Sequence, residues 1–156
     1  MRFDVLAKDT QLIGNFVLEA SAGTGKTFSI QHITLRLIIE EEITLPQILL
    51  VTFTNASTRE LKLRVRKNLQ QVLWQLKKGK PIYPYLAGID VPQAISKIEE
   101  ALQSFEDAAI YTIHGFCYQK LREFAFEAQL QLENTIHSEK ELLHKKCRFI
   151  QRFIQS

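Results

Sequence analysis

The sequence predicts an α/β fold in which helices flank a parallel sheet. Short apolar runs alternate with longer amphipathic segments along the chain, and a glycine-containing loop joins the first run to the first helix candidate. The apolar run at residues 48–53 is continuous, which is typical of a parallel strand covered on both faces. The length of 156 residues suits one domain with a core of its own.

The first strand and the first helix lie on either side of the glycine-containing loop. Residues 16–18 form a short apolar run after Asn15, and this brevity and these flanks favour a buried strand. Residues 28–42 are apolar on most sides and therefore predict a helix buried against the sheet. Pro46 ends this region, and residues 48–53 form the second strand candidate.

A long helix follows the second strand. Ser57 and Glu60 have the spacing of a capping box, and Asn55 is an alternative cap. Leucine and valine residues then recur at helical intervals as far as Gly79, and residues 81–90, which contain proline and glycine, predict a loop.

The second half of the chain continues the alternation. Residues 91–105 predict an amphipathic helix, residues 109–113 a third strand, and residues 115–128 another helix. A last helix is predicted from about residue 138 to the end. The chain stops with that helical pattern still in register, which suggests a cut chain.

The composition favours a folded, soluble protein. Hydrophobic residues make up 46% of the chain and aromatic residues 10%. No apolar run approaches the roughly 20 residues that a membrane helix needs. The N-terminus lacks the basic-then-apolar pattern of a secretory signal, so cytoplasmic residence without membrane partners is expected.

The two cysteines, Cys117 and Cys147, are too few for a disulfide framework or a zinc site. Both are predicted to face the core as small apolar residues. Cys117 shares a helix face with Leu121 and Phe124 in the predicted pattern.

The distribution of charge says more than the net charge of +3. Basic residues are concentrated in one stretch, where Glu60 is the single acid: Arg59, Lys62, Arg64, Arg66, Lys67, Lys77, Lys78 and Lys80. Such an excess either attracts a polyanion or forms a merely solvated helix face, and the sequence leaves both readings open.

The glycine-containing loop has the pattern of a phosphate-binding loop. Glycines let the backbone turn with positive φ and approach a ligand, and the N–H groups at the following helix N-terminus favour an anion. In this pattern Lys26 reaches the β- and γ-phosphates, and the Thr27 hydroxyl is a ligand of Mg²⁺. Ala20 replaces the usual first glycine, and the alternative is a strand-to-helix turn without a ligand.

With these residues the chain resembles the UvrD/Rep-like helicases, and most closely those of the RecB type, the beta subunit of exodeoxyribonuclease V. The resemblance is carried by residues 18–28, by residues 51–56 with 60–66, and by residues 111–117. Their order and spacing are also those of the family, so the match covers nearly the whole chain.

The resemblance implies a RecA-like P-loop NTPase fold that uses ATP and Mg²⁺. It makes residues 1–135 the N-terminal part of an incomplete first motor domain and residues 136–156 the start of a helical insertion domain. The implied role is that of an ATP-dependent DNA helicase/exonuclease subunit in recombination and double-strand-break repair. The implied partners are DNA, the rest of the same chain and other subunits of an exonuclease V-type complex.

The resemblance also assigns site residues by position. The nucleotide-binding residues are Ala20, Ser21, Ala22, Gly23, Thr24, Gly25, Lys26, Thr27 and Phe28. Among them, Lys26 and Thr27 have the catalytic roles, and Thr27 is the metal ligand. The residues that line a single-stranded DNA track are Thr52, Thr54, Asn55, Arg59, Thr112, His114, Gly115 and Phe116.

Structural roles are the alternative for the DNA-track residues. Thr54, Asn55 and Ser57 have the residue types of helix caps. In the same way, His114 suits a structural histidine on a strand-to-helix turn, and Phe116 suits the core.

The chain departs from the family in two respects that bear on turnover. Gln11 lies closer to the phosphate loop than the adenine-reading glutamine of UvrD-type helicases, so it is not given that role. No apolar strand ends in the Asp-Glu pair that serves Mg²⁺ and water activation, and Asp90 after a proline-containing loop is a poor substitute. We therefore expect this segment to bind ATP without useful hydrolysis.

Two other functions are consistent with the phosphate loop alone. A small P-loop kinase would suit this length, but it leaves residues 51–56 and 111–117 unexplained. A nucleotide-sensing or DNA-binding module that holds ATP without turnover is the non-enzymatic alternative.

Overall fold

The computed structural model describes residues 3–19, 23 and 25–124. The chain divides into two units, Met1–Phe116 and Cys117–Ser156, and the described residues of each unit are treated separately. The helices are α1 (Lys26–Glu40), α2 (Asn55–Lys77), α3 (Val91–Gln103) and α4 (Ile113–Glu123), and the strands are β1 (Leu50–Thr52) and β2 (Ile110–Thr112). Short 3₁₀ helices form at Leu45–Gln47, Pro84–Leu86 and Phe105–Asp107.

The two strands pair in parallel, as the sequence predicts. Leu50 lies opposite Ile110, and Thr52 lies opposite Thr112. The chain passes from β1 to β2 through α2 and α3, which is the long crossover that parallel pairing requires. The carboxyl ends of β1 and β2 therefore meet at the same edge of the sheet.

The core of the first unit lies among α1, α2, α3 and the two strands. Its residues are mainly leucine, isoleucine and valine at helical spacing, as the sequence predicts for α2 and α3. The buried apolar residues of the helices are Leu35, Ile38, Ile39, Leu61, Val65, Leu69, Val72, Leu76, Ala94, Ile98 and Ala101. No helix among the described residues is both long and apolar enough to cross a membrane.

The predicted buried strand at residues 16–18 is wrong for the described structure. These residues form no strand, and Val17 is 91% exposed. A buried strand needs neighbours that satisfy its backbone N–H and C=O groups. In the described part of the chain, β1 and β2 pair only with each other, so residues 16–18 have no strand beside them.

The prediction that residues 48–53 are covered on both faces is also wrong for the described structure. Ile48 is buried, but Val51 is 45% exposed and Phe53 is 83% exposed. The helix α2 packs against both strands, and among the described residues it covers one face of the pair. The continuous apolar run therefore predicted the strand correctly, but it predicted incorrectly that both faces of the strand are buried.

The helix α4 begins at Ile113 rather than at Gly115, and its predicted buried face is not buried. Cys117 is exposed, as are Leu121 and Phe124. An apolar stripe becomes buried only against a packing surface, and no α4 side chain is buried within the described residues. Cys147, the predicted last helix and the predicted boundary at residue 135 lie outside the described residues.

A buried arginine, which the sequence patterns did not predict, holds the N-terminal segment. Arg36 on α1 is 1% exposed and forms an ion pair with Glu40, with its Nε 2.7 Å from the Oε1 atom. Its guanidinium group also donates to backbone carbonyl oxygens of the N-terminal segment, which are those of Val5, Ala7, Lys8 and Thr10 at 3.0, 2.9, 3.3 and 3.4 Å. Because its N–H groups donate to a carboxylate and to carbonyl oxygens, the guanidinium charge can be buried beside α1.

Candidate functional site

The N-terminus of α1 has the backbone geometry of an anion site. Gly25 is the N-cap with φ of +96°, and Gly23 has φ of +79°, a region that side chains with a Cβ rarely occupy. A Cβ on Gly23 would meet nothing within 4 Å, so this side of the turn is open. Gly25 has no side chain with which to cap the first turn, and that turn contains no acid. Within the described part of this turn, no side chain caps the N–H groups of the first turn, which are the groups that an anion would bind.

The motif side chains of α1 follow directly. Lys26 is exposed and Thr27 is half-buried, at the first two positions of the helix. The remaining predicted loop residues, Ala20, Ser21, Ala22 and Thr24, lie outside the described residues. Nucleotide binding stays a prediction for the whole loop, Lys26 and Thr27 included.

An aromatic cluster, defined as Phe28, His32, Tyr83 and Tyr85, adjoins the first turn of α1. The His32 ring centroid lies 4.3 Å from that of Phe28 and 4.5 Å from that of Tyr83. The rings of Tyr83 and Tyr85 are stacked with centroids 5.6 Å apart. Sequence reasoning missed this cluster because Tyr83 and Tyr85 come from a predicted loop. The helical spacing of Phe28 and His32 was the one available signal.

Two members of the aromatic cluster are held neutral by burial. His32 Nδ1 and Tyr85 Oη are 2.8 Å apart, and His32 is 1% exposed. Burial lowers the pKa of His32 from 6.5 to about 4. Burial also raises the pKa of Tyr85, with the neighbouring Tyr83 adding to the shift. His32 is therefore uncharged at neutral pH, and Phe28 is the most exposed member of the cluster at 39%.

The loop after β1 is fixed by threonine hydroxyl groups. Thr54 is the N-cap of α2, and its Oγ1 accepts a hydrogen bond from the Ser57 N–H at 3.1 Å. Thr52 Oγ1 lies 2.5 Å from Thr58 Oγ1 and donates to the Thr54 carbonyl oxygen at 3.2 Å. The predicted capping box of Ser57 with Glu60 is wrong, because the helix begins at Asn55, one turn earlier than that box requires.

The chain turns directly from β2 into α4, and this turn, called the loop after β2, is held in a similar way. The Gly115 N–H donates to Thr112 Oγ1 at 3.0 Å, and a Cβ on Gly115 would lie 3.1 Å from the same oxygen. This close approach explains a glycine in the first turn of α4. His114 is exposed and Phe116 is half-buried.

The register of the sheet brings the two loops together. Thr52 and Thr112 are partners at the carboxyl ends of β1 and β2, so the residues that follow them lie at one edge. Asn55 and His114 are exposed in the first turns of α2 and α4, next to these two loops, and Arg59 is exposed one turn further into α2. Ligands of open α/β sheets bind at such an edge.

Ion pairs reduce the basic excess that the sequence suggests. Arg64 pairs with Glu60, and two further cations of α2 pair with acids elsewhere in the unit, Arg66 with Glu106 and Lys77 with Glu99. No ion pair within the described residues involves the other five cations of the stretch, Arg59, Lys62, Lys67, Lys78 and Lys80.

A small cleft elsewhere does not coincide with the predicted sites. It has a volume of about 180 Å³ and is lined by residues of α1, of the segment that follows α1 and of α3, which include Glu42, Lys97 and Glu100. In this cleft the Lys97 ammonium group donates hydrogen bonds to the Ile39 carbonyl oxygen and to the Glu42 carboxylate. In the region that the structure covers, no three side chains of histidine, cysteine, aspartate or glutamate are grouped to hold a metal ion.

Comparison with known proteins gives a consistent result. The family model described as the UvrD/REP helicase N-terminal domain matches residues 5–155. The chain is 43% identical over 123 residues to the RecBCD enzyme subunit RecB of Chlamydia trachomatis, which covers 74% of this chain and 12% of that protein. It is 38% identical over 151 residues to RecB of Chlamydia pneumoniae, covering 92% of this chain and 14% of that protein. For RecB of Escherichia coli the identity is 35% over 145 residues, with 85% of this chain and 12% of that protein covered. The matched region thus spans about an eighth of the length of these relatives.

Proposed function

The chain belongs to the UvrD/REP helicase family, and from this membership we propose that it carries the nucleotide phosphate site of an ATP-dependent DNA helicase subunit. The proposal places the phosphates at the loop before α1, with Lys26 on the β- and γ-phosphates. The RecB relatives are named as subunits of the RecBCD enzyme. We extend that assignment to this protein: DNA as substrate, further subunits as partners, and a role in recombination and double-strand-break repair.

The observation that carries the proposal is the open N-terminus of α1. Gly23 and Gly25 have positive φ, Gly25 has no side chain to cap the helix, and the first turn contains no acid that would repel phosphate. Lys26 is exposed there and adds a charge that matches a polyphosphate. These residues fit a bound nucleotide.

Thr27 is the residue that would hold Mg²⁺ through its hydroxyl, next to the phosphates. The ion supplies charge neutralisation when it is bound to the nucleotide. Hydrolysis further requires a carboxylate on the other side of the ion, a group that orients water and a cation for the transition state. Lys26 and Thr27 meet only part of the first requirement, because Thr27 holds one side of the ion. The chain by itself therefore binds nucleotide and turns it over slowly.

Single-stranded DNA occupies the edge formed by the loops after β1 and β2. Asn55, Arg59 and His114 offer exposed polar and charged groups to phosphates, and Phe116 offers part of a ring. Thr54 and Thr112 use their hydroxyl groups within the loops, so their contribution to DNA binding is the placement of backbone groups. Thr52 and Gly115 act in the same way.

Family membership favours this function over a small P-loop kinase, which has no use for the loops after β1 and β2. A nucleotide-holding module without turnover remains the second function. Phosphate release by the purified chain, with and without single-stranded DNA, tests the slow turnover expected of this chain. A DNA-stimulated rate above about 1 s⁻¹, within the usual enzyme range, would show that a catalytic carboxylate lies in this chain.

Competition against a fluorescent ADP tests the phosphate site itself. A loop that holds β- and γ-phosphates requires ATP and ADP to displace the probe in the presence of Mg²⁺ and AMP to displace it at least about tenfold more weakly. Equal displacement by AMP would contradict the assignment of the loop as a phosphate site.

A further inference from the structure

The outward face of α2 carries large apolar side chains that nothing in the described structure covers. Leu63 is 70% exposed and Trp74 is 61% exposed, whereas Leu61, Val65 and Val72 face the core. Steps of three and four residues place one stripe along the side of α2 opposite the core. This outer α2 stripe is defined as Arg59, Leu63, Lys67, Gln70, Trp74 and Lys78.

The outer α2 stripe is basic as well as apolar. Arg59, Lys67 and Lys78 are exposed, and none forms an ion pair within the described residues. The single acid of α2, Glu60, is already bound to Arg64. The six residues of the stripe therefore carry three cations and no acid, which fits an anionic partner.

We propose that the outer α2 stripe binds single-stranded DNA, with Trp74 stacking on a base and the cations of the stripe contacting phosphates. Cations that contact the backbone, together with an aromatic ring that stacks on a base, hold single strands without regard to sequence. An amphipathic partner helix would instead require a row of apolar anchors at every turn. Here Lys67 and Gln70 occupy the two turns between Leu63 and Trp74.

The position of the stripe makes it a continuation of the proposed DNA edge. The helix α2 begins at the loop after β1, and Arg59 belongs both to that edge and to the stripe. From Arg59 to Trp74 the helix rises about 22 Å, which corresponds to about six or seven nucleotides at stacked spacing. The inference rests on the proposed DNA edge and extends it along one helix.

The chain offers a direct probe, because Trp74 is its single tryptophan. A fluorescein-labelled oligothymidine of about 20 nucleotides is titrated into the full chain at low salt, with anisotropy and tryptophan emission recorded together. Stacking requires saturable quenching of the emission with the same midpoint as the anisotropy, reversed by added salt. Trp74→Ala lowers the affinity at least about fivefold, and Trp74→Phe restores most of it.

Matched variants separate stacking and charge from a general loss of fold. Lys67→Gln reduces the salt slope by about 0.7, as expected for one lost phosphate contact on a single strand. Tyr118→Ala removes an aromatic side chain of α4 that is 51% exposed, and it leaves the affinity unchanged. Circular dichroism is the same for all variants because these side chains are exposed.

The outcomes distinguish this inference from the proposed DNA edge. Binding with unchanged tryptophan emission, and with Trp74→Ala equal to wild type, overturns the stripe and leaves the edge intact. If Asn55→Ala and His114→Ala bind the oligothymidine with wild-type affinity and still show quenched tryptophan emission, the result supports DNA binding by the stripe and contradicts DNA binding at the edge. Equal quenching by polyglutamate overturns the assignment to nucleic acid.

Discussion

The Oγ1 atom of Thr54 accepts a hydrogen bond from the Ser57 N–H at 3.1 Å and lies 2.8 Å from the Ser57 hydroxyl group. This pair starts α2 at the point where the chain leaves β1. The Thr54 hydroxyl is therefore occupied within the protein, whereas the neighbouring Asn55 side chain is exposed. Thr54 and Asn55 both have side chains typical of helix caps, but only Thr54 caps α2, which leaves Asn55 for a ligand.

Thr54→Ala is expected to lower the free energy of unfolding by about 1 kcal/mol, because the first turn of α2 loses its side-chain cap. Thr54→Ser keeps an oxygen at the same place and should recover most of that loss. Urea denaturation followed by circular dichroism measures both. A Thr54→Ala variant as stable as wild type would contradict the capping role.

Asn55→Ala and His114→Ala are expected to weaken single-stranded DNA binding without changing stability, because both side chains are exposed at the edge formed by the two loops. Anisotropy with an oligothymidine at low salt measures the effect, and we expect several-fold weaker binding for each variant. Gln103→Ala, which is exposed at the end of α3 away from this edge, is the control. Binding equal to wild type in both variants would remove these residues from the DNA edge.

Arg36→Met is expected to lower the free energy of unfolding by roughly 3 kcal/mol, because it leaves Glu40 and several backbone carbonyl groups without their buried partner. Arg64→Met removes an exposed ion pair with Glu60 and should cost less than about 1 kcal/mol. Urea denaturation compares the two variants. Hydrogen exchange at residues 5–10 should rise in Arg36→Met alone, and equal costs for both variants would refute the anchoring role of Arg36.

His32 is expected to make stability depend on pH between about 6.5 and about 4. These are the pKa values of His32 in the unfolded and in the folded chain. In this window the unfolded chain binds the proton more strongly, so the free energy of unfolding decreases as the pH falls. The total decrease from this residue is up to about 3 kcal/mol.

His32→Gln should remove this part of the pH dependence, because glutamine does not titrate and can still bond to the Tyr85 hydroxyl group. Urea denaturation across the window measures it, and the carboxylates that titrate there are common to both proteins. The exposed His114 provides the control variant His114→Gln. The same pH slope in His32→Gln and wild type would show that His32 is not held neutral by burial.

Local patterns predicted most of the secondary structure. Helical periodicity gave α1, α2 and α3 within a few residues, because each of them buries one face against the same core. The runs at residues 48–53 and 109–113 gave the parallel pair. Residues 16–18 failed because a strand depends on a neighbour, and the apolar run itself does not specify one.

The candidate site was predicted less completely than the fold. The glycines at positions 23 and 25 have the positive φ that the motif predicts. An arginine in a helical pattern usually lies at the surface, so the sequence did not predict the buried hydrogen bonds of Arg36. The partners of His32 come from residues about 50 positions later in the chain, and spacing within a helix cannot reveal them. The choice between Thr54 and Ser57 as the cap required the backbone geometry of the loop.

The central claim is that the loop before α1 binds nucleotide phosphates through Lys26. Titration of the purified chain with a fluorescent ADP in the presence of Mg²⁺ tests it most directly, with Lys26→Ala compared with wild type and with Lys80→Ala as an exposed lysine control. Saturable binding by wild type and Lys80→Ala, with most of the affinity lost in Lys26→Ala and unchanged helical circular dichroism, is the predicted result. Equal binding by Lys26→Ala and wild type would contradict the claim.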